Sequence, residues 1–406
     1  MDASFFIAGR LRFKGNIAMV SIAVSFLVMI IAVAVSSGFR NEIRSGLSAM
    51  TGDVRVTPVG MNVLDEASPI ERNPQYLPHL EDVEGVEAII PVVYKAGIVK
   101  NGANIHGILL KGISRQDVSA YVQPFPDSLS LPVSIPSRLA EITGLEPGDR
   151  MLTYFVGENV KARQFNVAAV HETLVETDAN LVVYADIADI QRVNGWEDGQ
   201  VSCVEIMLDD SHRNETDILE KQEEIGFMVY SYASEDEETV LATSSVSSFP
   251  QLFGWLDLID FNVFFILVLM TIVAGFNMIS GLLIMLFENI STIGLLKSLG
   301  MTDKAISKVF LSSAAVLVLK GMVAGNLLAV LFCFIQGTTH ILGLDPENYF
   351  VSFVPVDLDF GMIALADAVS FSVIMVLLLI PCLFIAKVDR ETHKCKTIGH
   401  FKHFDR

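Results

Sequence analysis

Four stretches of the chain are almost unbroken apolar sequence: Ile17 to Val35, Asn262 to Leu286, Val309 to Ile335 and Phe360 to Phe384. Each is long enough to cross roughly 30 Å of hydrocarbon as a helix, which takes about 18 residues or more. The pattern therefore predicts four transmembrane helices. Between Thr51 and Asp260 it changes to short alternating runs broken by Pro, Gly and Asn, the signature of a mixed α+β domain. With flanks added, the expected spans are 17–39, 261–287, 305–336 and 360–385. A domain at 40–260 lies between the first two, a short surface helix at 288–304, a loop at 337–359, an amphipathic lead at 1–16 and a tail at 386–406.

Within the inserted domain, Pro136 and Ser137 open a short helix that carries Leu139 and Ile142, and Gly144 closes it. Glu146-Pro147-Gly148-Asp149 then forms a turn, because Pro147 pre-sets φ and Gly148 accepts positive φ. Alternation places Phe165, Val167 and Ala169 on one side of a strand, and Val204, Ile206 and Leu208 on one side of another. A helical stretch near Glu215 to Glu224 precedes GFMVYSYA, which reads as a further strand.

The polar break between the second and third spans, ENISTIGLLKSLGMTDKAISKVF at 288–310, is helical in spacing. Ile290, Ile293 and Leu296 recur on one side, with Leu295 and Leu299 beside them. Gly300 can end this helix, Thr302 can cap the next, and Asp303 sits in its first turn. About twelve residues of amphipathic helix result. Such a helix either inserts its apolar side into a groove on a partner or lies flat on lipid, and spacing does not separate the two.

Charge orients these elements. Lys and Arg on short flanks mark the cytoplasmic side. Arg10, Arg12 and Lys14 precede the first span, Lys297, Lys304 and Lys308 lie between the second and third, and Lys387, Arg390, Lys394 and Lys396 follow the fourth. The connection from Gln336 to Asp359 has no Lys or Arg but carries Asp345, Glu347, Asp357 and Asp359. Both termini are expected inside (N-in/C-in) and the α+β domain outside the cytoplasm. The small residues of AVAVSSG resemble a signal-peptidase site, but the apolar run is too long for a signal core, and an uncleaved anchor is the simpler account.

Composition agrees: 51% of residues are hydrophobic and 18% charged, far from soluble averages. The net charge of −19 comes from the inserted domain, where Ser45 to Asp260 holds 13 Lys and Arg against 35 Asp and Glu. So acidic an exterior argues against nucleic acid. Cys203 stands alone outside, Cys333, Cys382 and Cys395 fall at spans or the tail, and no disulfide framework is expected. His79, His106 and His171 sit in separate segments without ligand spacing, and neither HExxH nor GxSxG occurs. GxxxxGK[ST] is also absent, so this chain cannot cradle ATP as a P-loop would, and no metal or catalytic site is expected on it.

TIGLLKSLGMTDKAISKVF resembles the cytoplasmic signature of FtsX-like ABC transporter permeases, the kind found in lipoprotein-releasing (LolC/LolE-type) systems and in MacB-type exporters. The likeness extends to the lead FFIAGRLRF, to IPSRLAEITGLEPGDRM and QFNVAAVHETLVETDANLVVYADIADIQ in the outer domain, and to the tail PCLFIAKVDRETHKC. It implies a multi-pass protein of the bacterial inner membrane with its large domain in the periplasm. The short helix after span two would be the coupling helix that docks on a separate cytoplasmic ATPase, with Glu288, Ile290, Ile293, Leu296, Lys297, Leu299 and Gly300 at the matched positions. The resemblance further implies a non-catalytic subunit, ATP and Mg on the partner ATPase, a homodimer or paralogous permease pair, lipoprotein cargo, a periplasmic carrier and mechanotransmission across the membrane. MacB-like export of periplasmic substrates and FtsX-like regulation of a cell-wall hydrolase are the alternatives within the same family. Two features depart from its pattern: Asn289, Ser291 and Thr292 are neutral where many relatives are charged, and the hairpin that carries a carrier-recruiting hook in one Lol permease is reduced to FVGENVKA.

Five further residues stand out inside the spans. Lys320 costs about 2.5 to 3.5 kcal/mol in hydrocarbon and is expected to face protein, water or a headgroup. Gly321 and Gly325 form GxxxG, which permits close helix approach. Asn277 and Asp367 are polar, and Asp367 is expected near the outer end of span four, where water reaches it.

Overall fold

The computed structural model describes residues 16–60, 69–101, 104–126, 129–155, 160–172 and 181–382. The lead before Asn16, the tail 386–406 and the segments 156–159 and 173–180 fall outside the described residues. In chain order the elements begin with helix α1 (Asn16–Thr51), strands β1 (Val54–Pro58) and β2 (Ile70–Glu71), α2 (Leu77–Glu81), β3 (Val86–Asn101) and β4 (Asn104–Ile113). Next come β5 (Pro132–Pro136), α3 (Ser137–Thr143), β6 (Arg150–Phe155), β7 (Lys161–His171), β8 (Val182–Asp186) and α4 (Ile187–Asn194). They are followed by β9 (Gln200–Val201), β10 (Cys203–Leu208), α5 (Glu215–Tyr232), β11 (Val240–Ser244) and α6 (Ser245–Ser248). The last are α7 (Pro250–Glu288), α8 (Ile290–Ser298), α9 (Asp303–Thr339), α10 (Pro346–Tyr349) and α11 (Phe360–Leu377).

The chain divides into two units, one of residues 1–39, 256–342 and 354–406, the other of residues 40–255 and 343–353. The second unit is built on a nine-stranded sheet in the order β11-β1-β10-β3-β4-β8-β5-β7-β6. Its pairings are antiparallel except β4 with β8 and β5 with β7. Helix α3 forms as its sequence dictates: Gly144 terminates it in the left-handed region, and the Asp149 N–H closes the following turn onto the Glu146 carbonyl at 3.0 Å. Helix α4 packs on β3 and β4, and α5 on β1 and β11.

Three local expectations need correcting here. GFMVYSYA is not a strand but the continuation of α5, which Asn214 caps by accepting from the Asp217 N–H. Its β-branched and aromatic content suggests a strand, yet Ile218, Ile225 and Val229 fall on one buried helical face, and tertiary packing overrides such a weak propensity. Strand β10 does not alternate. All six of its residues are buried, because it lies between β1 and β3 with both faces covered. In β7 a register shift opposite Val133 and Ser134 interrupts the alternation, so Phe165 and Val167 are buried while Ala169 is only partly so.

Among the described residues four helices are long and apolar enough to cross a membrane: Ile17–Thr51, Pro250–Glu288, Asp303–Thr339 and Phe360–Cys382. Their shared core includes Ile22 and Phe26 of α1, Met278 and Met285 of α7, Phe310 and Val318 of α9, and Ile374 of α11. Large side chains such as Phe264, Phe265, Leu327 and Leu365 point outward, as lipid or a neighbouring span requires. Gly321 and Gly325 of α9 lie against α1. A Cβ on Gly321 would stand 2.7 Å from the Ile22 side chain, and one on Gly325 would meet the Ala23 carbonyl and stand 2.9 Å from the Phe26 Cβ. Only glycine allows so close an approach.

Candidate functional site

The joint between α7 and α9 is made by capping chemistry. Asn289 interrupts α7 for a single residue and donates its side-chain amide to the Met285 carbonyl at 2.8 Å, while its own carbonyl accepts from the Ile293 N–H at 2.9 Å. Helix α8 runs for nine residues, shorter than the twelve expected from spacing. It closes when the Met301 N–H reaches back to the Leu296 carbonyl at 3.0 Å and the Gly300 N–H to the Lys297 carbonyl at 2.9 Å. Gly300 takes φ +90°, a conformation that side chains resist. Thr302 then caps α9 through the Ala305 N–H, and Lys297 and Asp303 pair at 3.0 Å across the turn.

The faces of α8 divide differently from the expectation. Ile293, Leu296 and Met301 turn inward and pack on the core of the four-helix unit. Spacing placed Ile293 and Leu296 with Ile290 on a single apolar side, but Ile293 and Leu296 pack on the protein's own core. The apolar residues left outside are Ile290 at 56%, Leu295 at 62% and Leu299 at 76% exposure. Glu288, Ser291, Thr292, Gly294, Ser298 and Gly300 are exposed with them. The arrangement is a short rod held firmly on its inner side, with a small apolar patch on its outer side. Leu295 is the docking candidate that the matched positions omitted, and its (i, i+4) relation to Leu299 is the signal that identifies it.

The polar span residues are distributed over several contacts. Asn277 of α7 donates to Ser21 Oγ of α1. Asp367 is half-buried and accepts from Asn326 of α9, so it is engaged within the helices. Thr271 and Ser370 share a hydrogen bond of 3.1 Å. Buried Gln336 donates to the Leu342 and Val354 carbonyls at 3.2 and 3.1 Å. It also accepts from the Leu342 N–H at 3.0 Å, pinning the connection that follows α9. Lys320 is exposed on α9, among outward-facing Val316, Leu319 and Val323.

In the second unit His79 stacks on Tyr232 with centroids 3.6 Å apart, and His171 Nδ1 lies 2.9 Å from Ser134 Oγ. Burial pushes the His171 imidazole down to about 4. His212, another histidine of this unit, pairs with Asp209 at 2.8 Å. Among the described residues no three His, Cys, Asp or Glu side chains are grouped to hold a metal ion. Cys203 is wholly buried on β10, where burial raises its thiol. A buried charged pair that no local sequence motif marks is Lys111 with Glu205, whose Nζ and Oε2 are 2.6 Å apart at 0% exposure. Burial lowers the Lys111 ammonium, and Glu205 opposes that shift.

Residues 264–389, which contain all of α8, α9 and α11 and most of α7, match the family described as FtsX-like permease C-terminal. The chain is 25% identical over 403 residues to the lipoprotein-releasing system transmembrane protein LolC of Neisseria meningitidis serogroup B, covering 92% of each chain. It is 22% identical over 368 residues to the lipoprotein-releasing system transmembrane protein LolE of Haemophilus influenzae, covering 84% of each. Among solved structures it aligns with the periplasmic region of MacB from Actinobacillus actinomycetemcomitans at 14% identity and a TM-score of 0.31, covering 51% of this chain and 95% of that one. Residues 264–389 are thus similar to the C-terminal part of FtsX-like permeases.

Proposed function

We propose that this chain is the membrane subunit of a lipoprotein-releasing ABC transporter, driven by a separate cytoplasmic ATPase that docks on α8. The observation that carries the reading is the construction of the joint. A nine-residue rod between two membrane helices, locked inward by Ile293 and Leu296 and showing Leu295 and Leu299 outward, is suited to receive a push and pass it on without bending. The basic flanks support a cytoplasmic position for α8 and both termini. That orientation leaves the acidic α+β domain in the periplasm.

ATP and Mg belong to the partner, which closes on nucleotide and moves α8; this chain makes and breaks no bonds. A second permease, either another copy or a paralogue, completes the assembly. The space between the two subunits receives the acyl chains of a lipoprotein drawn from the outer leaflet of the inner membrane. Overall similarity to LolC and LolE favours lipoprotein over other cargo. Depleting the protein and quantifying the proteomes of the two membranes tests this. Lipoproteins retained at the inner membrane are expected, whereas normal sorting with a cell-wall defect would replace the reading with regulation of a hydrolase.

A further inference from the structure

Helix α1 is a single helix of 36 residues, and its last part, from Arg40, belongs to the unit that holds the sheet. There Ile43, Leu47 and Met50 are buried. The final carbonyls of any helix lack partners within it and carry the negative end of its dipole. Here the sheet supplies the partners from one rung. Tyr94 of β3 pairs directly with Lys111 of β4, and Lys111 with Tyr184 of β8. All three tips reach the end of α1. Lys111 Nζ donates to the Met50 carbonyl at 2.8 Å and the Ala49 carbonyl at 3.4 Å, Tyr184 Oη donates to Ala49 at 3.3 Å, and Tyr94 Oη, whose one proton goes to Glu205, lies 3.3 Å from the Met50 carbonyl.

Glu205 of β10 holds this rung from the side. It accepts from Lys111 at 2.6 Å, from Tyr121 at 2.8 Å and from Tyr94, while the Lys111 ammonium lies 4.1 Å from the centre of the Tyr121 ring. Both charged side chains are fully buried. Well-packed apolar residues would stabilise such a site as well or better, so a buried ion network is better explained by the geometry it enforces. A slip of one residue along the helix moves each carbonyl about 1.5 Å and turns it away from its donors. That slip would strip the buried Ala49 and Met50 carbonyls of their donors and leave the Lys111 ammonium with Glu205 alone as acceptor, which is disfavoured for buried polar groups.

We propose that Lys111, backed by Glu205, Tyr94 and Tyr184, is the positioning residue that fixes the end of α1 to the sheet, so that movement of this helix is delivered to the outer domain without slippage. This rests on the reading of the chain as a mechanically driven permease. The test uses the full chain with its ATPase in lipid nanodiscs, comparing amide hydrogen exchange across 86–113 between the nucleotide-free and ATP/vanadate-trapped states. ATP turnover and thermal unfolding are measured alongside. Lys111→Met/Glu205→Gln removes both charges together; Tyr94→Phe/Tyr184→Phe removes two hydroxyls and keeps the ion pair.

The wild type is expected to show a nucleotide-dependent change in 86–113. In both variants turnover should stay near the wild-type rate while that change shrinks about fivefold or more, the low end of ordinary coupling between sites. A folded variant whose exchange response is intact overturns the proposal, even if its melting temperature moves. If the charge-free variant does not fold, the tyrosine variant decides. A wild type that hydrolyses ATP with no response in 86–113 brings down the mechanical reading and the proposal with it, an outcome distinct from failure of the variants alone.

Discussion

Replacing Leu295 and Leu299 together with Asp distinguishes docking by α8 from mere packing of the joint. Burying a whole leucine side chain contributes about 2 kcal/mol. Leu295 and Leu299 are 62% and 76% exposed, so a partner that covers both gains about 1.2 and 1.5 kcal/mol from them, or roughly a hundredfold in Kd when combined. Aspartate adds the cost of desolvating two carboxylates, which makes this a lower bound. The contrasting pair is Ile293→Ala and Leu296→Ala, whose side chains pack on the protein's own core. Truncating them lowers stability by about 1 to 2 kcal/mol, below the range for fully buried leucine. The purified permease in nanodiscs is titrated with its ATPase by interferometry, and thermal unfolding is recorded for every variant. Reduced affinity at unchanged melting is expected for the aspartates, and reduced melting first for the alanines. An aspartate variant that binds like wild type would refute the assignment of this face.

Three other outcomes follow from the packing. Gly325→Leu forces a side chain against the Ala23 carbonyl and the Phe26 side chain and should destabilise the four-helix unit by about 1 to 3 kcal/mol, read as a lower melting temperature in detergent. Lys111→Met alone strands Glu205 as a buried charge and should cost about 3 to 5 kcal/mol in chemical unfolding, with most of it regained when Glu205→Gln is added. His171 titrates near 4 when folded against 6.5 as the ordinary value. Between those pH values the unfolded chain binds a proton that the folded one refuses, so stability is full above about 6.5 and falls as pH drops through the window, by at most about 3 kcal/mol. His171→Gln should flatten that part of the melting-versus-pH curve.

What the sequence disclosed follows from how local each determinant is. Gly300, Thr302 and Asp303 act within one turn, and the joint they were expected to make is present. The inward turn of Ile293 and Leu296 was not legible, because spacing shows which residues share a face but not which neighbour covers it. The strand read into GFMVYSYA failed for the same reason: Ile225 and Val229 gain their helical burial from packing on the sheet. Lys111 and Glu205 lie far apart in sequence and on strands separated by β3, so nothing local pairs them. The available signal was a charge inside each of two apolar runs, GILLKGI and CVEIML, where a buried charge demands a partner.

The most direct test of the account is reconstitution of the full permease pair with its ATPase in liposomes loaded with a labelled triacylated lipoprotein, followed by measurement of label released to a soluble acceptor. Release that requires ATP, ceases with vanadate and is lost with the Leu295→Asp/Leu299→Asp variant is the predicted result. Vigorous ATP hydrolysis with label remaining in the bilayer, or release indifferent to nucleotide, would contradict it.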